Sequence, residues 1–426
     1  MPLRKIFFWT HLAAGAVAGL VILAMSVTGV LLAFERQILA WAERDLRATA
    51  VEAQQKALPV SAIVAAAAAA SPDAKPSNLT FRSDPLAPVT VAFGRERTLF
   101  VNRYSGKVLG EGATGWRKFF HVNEDIHRWL AMEGEGRAVG KKITGYSNVA
   151  FFFIVLSGLY IWIPKKKTRA GFRNISLFRG GLRGKARDFN WHNVLGIWSF
   201  VPLVLIVYSG IAISFPSRPA GGGPGGPGGA GGPGGGPQVE RSAAPRAPRA
   251  ESERGARPEG ERRGNEAGRG ERRGAADAAK LDRLFDSARA EADRLAPQWR
   301  SLGVRLPLRG EGPVTFSMDT GNGARPDKRS QLMLDPRSAQ LVEHKTYASQ
   351  KREQKIRAWL RWIHTGEAGG ILGQIVAALA SAAAVVLVWT GIALALRRLR
   401  RWLQGAPQPQ PNTNKNSEFV EEVFES

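Results

Sequence analysis

Four stretches of the chain are predominantly apolar for about 20 residues or more, the length needed to cross roughly 30 Å of hydrocarbon. They cover residues 8–34, 139–163, 189–215 and 369–396. Between the first and second, and again between the third and fourth, the pattern changes. Residues 99–109 and 332–342 alternate and turn in the manner of strand, tight turn, strand. Each is preceded by a helix candidate, at 60–70 and 275–295. The expected fold is mainly α: a bundle of four transmembrane helices carrying two small α+β modules, 35–115 and 275–350, each one helix on a few antiparallel strands. An amphipathic helical region at 116–138 and a helix at 351–368 lead back to the membrane. The first apolar run is too long for a signal-peptide core. Glu35 and Arg36 follow it in place of a small-residue cleavage site, so it reads as an uncleaved span.

The same unit occurs twice. His11 is followed by Gly15 and Thr28-Gly29, and His192 by Gly196 and Ser209-Gly210, so the intervals from histidine to the two glycines are 4 and 18 residues in both. In the returning spans Gly140 precedes Ser157-Gly158, and Gly373 precedes Thr390-Gly391, again by 18 residues to the second glycine. Residues 217–274 separate the copies. Their Gly/Pro run and Arg/Glu/Gly stretch bury too little apolar surface to offset chain entropy, which predicts a disordered linker.

Charge sets the orientation. Lys and Arg total 60 against 36 Asp and Glu, a net +24. A surplus this large could suit nucleic acid, and the Arg-Gly pairs of the linker resemble RNA-binding tails. The surplus instead gathers in the loop 164–188, after the fourth span in the tail 397–426, and at Arg4 and Lys5. Short basic loops stay cytoplasmic. Both termini and the loop 164–188 are therefore expected in the cytoplasm and the two modules outside, with no nucleic acid as partner. The absence of cysteine excludes disulfides, thiolate-held clusters and covalent haem attachment.

Six histidines remain: His11, His121, His127, His192, His344 and His364. Ionisable groups at membrane segments are costly and commonly functional. Four of these lie at repeat-related positions in two layers, His11 with His192 at the cytoplasmic ends of their spans and His127 with His364 at the outer surface. Imidazole suits the two axial positions of a haem iron, so each pair is a candidate ligand set, with the irons roughly 20 Å apart and the porphyrin edges closer. Gly15 and Gly196, one turn from their histidines, either make room for a porphyrin or let helices approach closely. His121 lies six positions before His127, about 120° away on a helix, and its repeat counterpart is not histidine. It is a reserve ligand, or a propionate or substrate contact. His344 is expected just past the second strand pair, at the surface. Trp129 and Trp362 are candidates to pack on the outer haem.

The segments Trp9-Thr10-His11, Thr28-Gly29-Val30-Leu31-Leu32, Ile126-His127-Arg128-Trp129-Leu130, Trp191-His192-Asn193 and Ile363-His364-Thr365-Gly366-Glu367 resemble the PepSY-associated transmembrane family. The resemblance covers nearly the whole chain apart from the linker and the C-terminal tail, and implies that the outer modules are PepSY-like and periplasmic. It further implies an inner-membrane reductase of bacteria that holds b-type haem through histidines, two haems if each histidine pair takes one, and reduces a ferric siderophore or other ferric chelate.

No dinucleotide fingerprint follows a strand and opens a helix, so the electron donor is expected to be a separate flavoprotein or a quinol within the bilayer. Two other classes compete. A membrane-anchored PepSY regulator or peptide-binding protein would lack redox activity and purify colourless. A transporter would carry charges inside its spans, where this sequence has almost none.

Overall fold

The computed structural model describes residues 3–46, 55–94, 97–164, 168–215, 259–308, 312–323 and 325–404. In chain order the helices are α1 (Leu3–Leu32), α2 (Glu35–Ala42), α3 (Val60–Ala69), α4 (Thr114–Trp129), α5 (Gly136–Trp162), α6 (Arg169–Ser176), α7 (Gly184–Ser214), α8 (Glu259–Leu295), α9 (Arg352–His364) and α10 (Gly370–Leu403). The strands are β1 (Asn78–Arg82), β2 (Val89–Phe93), β3 (Arg97–Val101), β4 (Val108–Glu111), β5 (Ser301–Arg305), β6 (Val314–Asp319), β7 (Arg329–Leu334) and β8 (Leu341–Lys345). They form two compact units, a helical one (1–38, 118–222, 353–426) and a sheet unit (39–117, 223–352).

In the helical unit, α1, α5, α7 and α10 are long and apolar enough to cross a membrane. Each packs on two neighbours in the cyclic order α1, α5, α7, α10. Their outer surface carries large apolar residues, such as Val17, Leu20, Val201, Leu372 and Leu379. Many of the buried positions are small or hydroxylic: Ser26, Thr28, Ser147, Ser157, Ser199, Ser209, Ala380, Ala384 and Thr390. This is the distribution expected in lipid, where apolar surface gains nothing by turning inward and small residues let helices approach. The bundle centre is sealed by Ala18, Ile22, Phe151, Leu203, Val207, Ala380 and Ala384.

The helices overrun their expected ends. α7 starts at Gly184, inside the stretch expected as loop, and α10 continues to Leu403, through the basic residues after 396. Arginine is a good helix former, and its long stem reaches water from a helix end, so a polarity change does not end a helix. The expected loop 164–188 also holds α6, capped by Thr168 Oγ1 accepting from the Gly171 amide at 3.1 Å.

The sheet unit corrects the expectation of two separate modules. All eight strands form one antiparallel sheet in the order β4-β3-β2-β1-β5-β6-β7-β8. The two halves join through β1 and β5, with Leu79 opposite Val304 and Phe81 opposite Leu302. A single core runs under the join, from Ile63 of α3 and Leu79, Val89, Val91 and Leu99 to Leu284 and Phe285 of α8 and Phe316, Leu332 and Leu334. Pairing β1 with β5 removes two edges that each half alone would expose. α3 and both expected strand pairs are present, whereas α8 begins at Glu259, within the segment 217–274 expected as disordered linker. Its many Arg, Glu and Ala residues favour helix and outweigh its scattered glycines. The Gly/Pro run at 221–237 and the tail after 404 lie outside the described residues. His344 is not past the strand pair but within β8, opposite Leu332 and half-buried.

Candidate functional site: four histidine cradles

Four histidines enter the helical bundle, and the same local arrangement receives each one. His11 of α1 has its Nδ1 2.9 Å from Ser157 Oγ of α5. His192 of α7 has its Nδ1 3.0 Å from Thr390 Oγ1 of α10. His127, at the end of α4, has its Nδ1 2.9 Å from Thr28 Oγ1 of α1. His364, at the end of α9, has its Nδ1 3.4 Å from Ser209 Oγ of α7 and 2.9 Å from the Ile206 carbonyl.

A glycine follows every one of these hydroxyl residues, and the imidazole lies against it, in ordinary contact range at Gly158, Gly391 and Gly29 and more tightly at Gly210. A Cβ built on Gly158, Gly391, Gly29 or Gly210 would stand 3.4, 3.5, 3.6 or 3.1 Å from the Cε1 of His11, His192, His127 or His364. The Ser/Thr-Gly pairs found as repeat points in the sequence are therefore the seats of the histidine rings.

This network assigns the tautomer. A carbonyl oxygen only accepts, so Nδ1 of His364, at the Ile206 carbonyl, carries the hydrogen. The hydroxyl protons are already directed to their own helix, from Thr28 to the Ala24 carbonyl at 2.8 Å and from Thr390 to the Val386 carbonyl at 2.7 Å. The hydroxyl oxygens are left to accept from Nδ1–H. Every ring then keeps its lone pair on Nε2, the atom a metal takes.

The rings gather in two layers. His127 and His364 have ring centroids 6.0 Å apart with planes at 61°. Two imidazoles binding one metal from opposite sides through Nε2, at about 2 Å each, place their ring centres about 6 Å apart. His11 and His192 lie within electrostatic reach of one another. On α1, His11 and Thr28 are separated by 28 − 11 = 17 residues, or about 25 Å of helix. His192 and Ser209 on α7 are separated by the same interval, 209 − 192 = 17. Among the described residues no three His, Asp or Glu side chains cluster to hold a bare metal ion. The donor set of two imidazoles per layer fits the two axial positions of haem iron.

The remaining glycines separate into two kinds. A Cβ at Gly15 would meet nothing within 4 Å, and one at Gly196 only Leu387 at 3.9 Å, so these positions leave space and do not mediate close helix packing. At Gly140 and Gly373 the backbones touch: a Cβ would fall 2.2 Å from the carbonyl oxygen of Trp129 and of Gly366 respectively. These contacts fold the end of α4 onto α5 and the end of α9 onto α10. Leu130 and Ala131 take left-handed conformations to make the first turn.

His121 does not join either pair. It lies 3.7 Å from Asp125, which is 3.5 Å from Arg137. Trp129 and Trp362 are buried beside the second layer, the former under the guanidinium groups of Arg128 and Arg137 and the latter under that of Arg361. Sequence reasoning missed two polar anchors. Buried Asp188, one turn before His192, holds Arg187 at 2.9 Å and Arg397 at 2.7 Å. Buried Gln374 donates to the Ala33 carbonyl at 2.7 Å, and Arg36 pairs with Glu367 at 2.6 Å. Asp188 was legible as the sole carboxylate of α7; Gln374 gave no such signal.

Among curated proteins none matches the chain. A family model described as PepSY-associated TM region matches residues 8–414, a range that takes in all four cradles, and the chain therefore belongs to the PepSY-associated transmembrane family.

Proposed function

We propose that this protein is a transmembrane electron carrier that holds two b-type haems, one between His11 and His192 and one between His127 and His364. The observation that carries the reading is the fourfold seating of the rings through Nδ1, which leaves the four Nε2 atoms, two in each layer, as the available donors. Bound there, haem supplies one-electron oxidation and reduction. The chain's own residues orient the imidazoles through the hydroxyls of Thr28, Ser157 and Thr390 and the Ile206 carbonyl, leave open space at Gly15 and Gly196, and exclude water between the layers with Ile22, Phe151, Leu203 and Val207. The acceptor is a ferric siderophore or another ferric chelate on the outer side of a bacterial plasma membrane. The donor is a separate flavoprotein or a quinol. The basic loop 164–188 and the arginines from 397 onward set the orientation, with both termini cytoplasmic and the sheet unit, in this reading PepSY-like, in the periplasm.

The test is the absorption spectrum of the purified, membrane-extracted protein with a pyridine haemochrome assay. The expected result is a Soret band and about two haems per chain, one for each pair of axial ligands. A colourless protein that is otherwise folded overturns the reading and favours a peptide-binding regulator. For orientation, a reporter placed at Arg173 is expected to behave as cytoplasmic, and an external signal there would reverse it.

A further inference from the structure

The four cradles share a plan but differ in what accepts the Nδ1–H hydrogen bond. At His11, His127 and His192 the short contact is to a side-chain hydroxyl, at 2.9, 2.9 and 3.0 Å. At His364 the hydroxyl of Ser209 has withdrawn to 3.4 Å, and the Ile206 carbonyl makes the short contact at 2.9 Å. Gly210 is also the tightest of the four seats, with Asn148 Nδ2 3.2 Å and His364 Cε1 3.1 Å from where its Cβ would stand. The ring of His364 is thus lodged against the helix backbone, while the other three hang from hydroxyl oxygens.

We infer that Thr28, Ser157 and Thr390 are positioning residues for His127, His11 and His192, and that Ser209 is not one for His364. The inference rests on the four histidines being axial ligands. An acceptor on Nδ1–H fixes the tautomer and ring plane and raises the basicity of Nε2, and loss of such a partner typically weakens metal binding about 10–100-fold. Removing a side-chain acceptor deletes that effect. Removing Ser209 does not, because the main-chain carbonyl of Ile206 stays in place.

The experiment compares Thr28→Val, Ser157→Ala, Thr390→Val and Ser209→Ala in the full-length, haem-loaded protein. Valine keeps the shape of threonine without the acceptor. Haem affinity is read from the rate of haem transfer to excess apomyoglobin. Ring orientation and ligand basicity are read from the low-spin electron paramagnetic resonance signals and the midpoint potentials. The first three variants are expected to release one haem about 10–100-fold faster, to shift one low-spin signal and to raise the potential of one haem. Ser209→Ala is expected to match the wild type. The rescue variants Thr28→Ser, Ser157→Thr and Thr390→Ser are expected to restore all three readouts, which separates a lost acceptor from a misfolded bundle. Wild-type behaviour in the first three variants, or an equal loss in Ser209→Ala, overturns the inference while leaving the dihaem reading intact. A wild-type protein without haem overturns the dihaem reading itself.

Discussion

The two histidine layers use one kind of seat but fill it from different elements. In the first layer His11 and His192 belong to the spanning helices themselves, and the seats are on α5 and α10. In the second layer His127 and His364 come from α4 and α9, and the seats are on α1 and α7. Helices α1 and α7 therefore each supply a histidine near one end and receive one near the other. The first layer depends on the register of neighbouring spans, which the apolar length of those spans already enforces. The second depends also on two tight returns, at Trp129 onto Gly140 and at Gly366 onto Gly373. A shared seat with different tethers predicts that damage can be confined to one layer.

The largest effect should come from the ligands. His11→Ala or His192→Ala should lower the haem content from about two per chain to about one and leave the second layer spectrally intact. His127→Ala or His364→Ala should remove the other haem. The pyridine haemochrome ratio with reduced spectra checks this, and loss of both haems from any single variant would show that the layers are not independent.

Next come the returns. Gly140→Ala and Gly373→Ala place a carbon against a carbonyl oxygen that cannot move without the whole turn, an overpacking that costs about 2–3 kcal/mol. Weakened haem retention should appear in the second layer only, together with a lower unfolding midpoint in detergent. Unchanged retention there would mean that α4 and α9 are held by something other than these turns.

A smaller effect belongs to the first layer. Asp188→Ala leaves Arg187 and Arg397 without their shared carboxylate, and because both guanidinium groups keep partial access to solvent the loss should be about 1–3 kcal/mol. Thermal unfolding of the variant measures it, and the second-layer spectrum should not change.

The smallest effects mark what lies outside both layers. His344→Ala, on β8 of the sheet unit, should leave haem content and spectra at wild-type values. His121→Ala should at most slow ferric-chelate reduction, since its neighbours are Asp125 and, through it, Arg137 and not a second imidazole. Loss of haem from His121→Ala would displace His127 as the ligand.

Much of this was present in the one-dimensional pattern. Apolar runs of bilayer length have a single structural answer, because every backbone group must be satisfied inside the segment; this determined four helices. The repeat determined that His11 matches His192 and that His127 matches His364, and it picked out Thr28-Gly29, Ser157-Gly158, Ser209-Gly210 and Thr390-Gly391. Only the tertiary structure decided what those pairs do. A hydroxyl and a glycine on one helix become a seat when a ring from another helix arrives at that height, through contacts 99 to 198 residues apart in sequence. The joining of the strands into one sheet was likewise beyond the pattern. Alternation marked the strand pairs at 99–109 and 332–342, but the strands that join the halves, β1 and β5, emerged only in the structure, where they pair over a core shared by α3 and α8. Periodicity along a chain reports which face of an element is apolar; it carries no information about which distant element that face will meet.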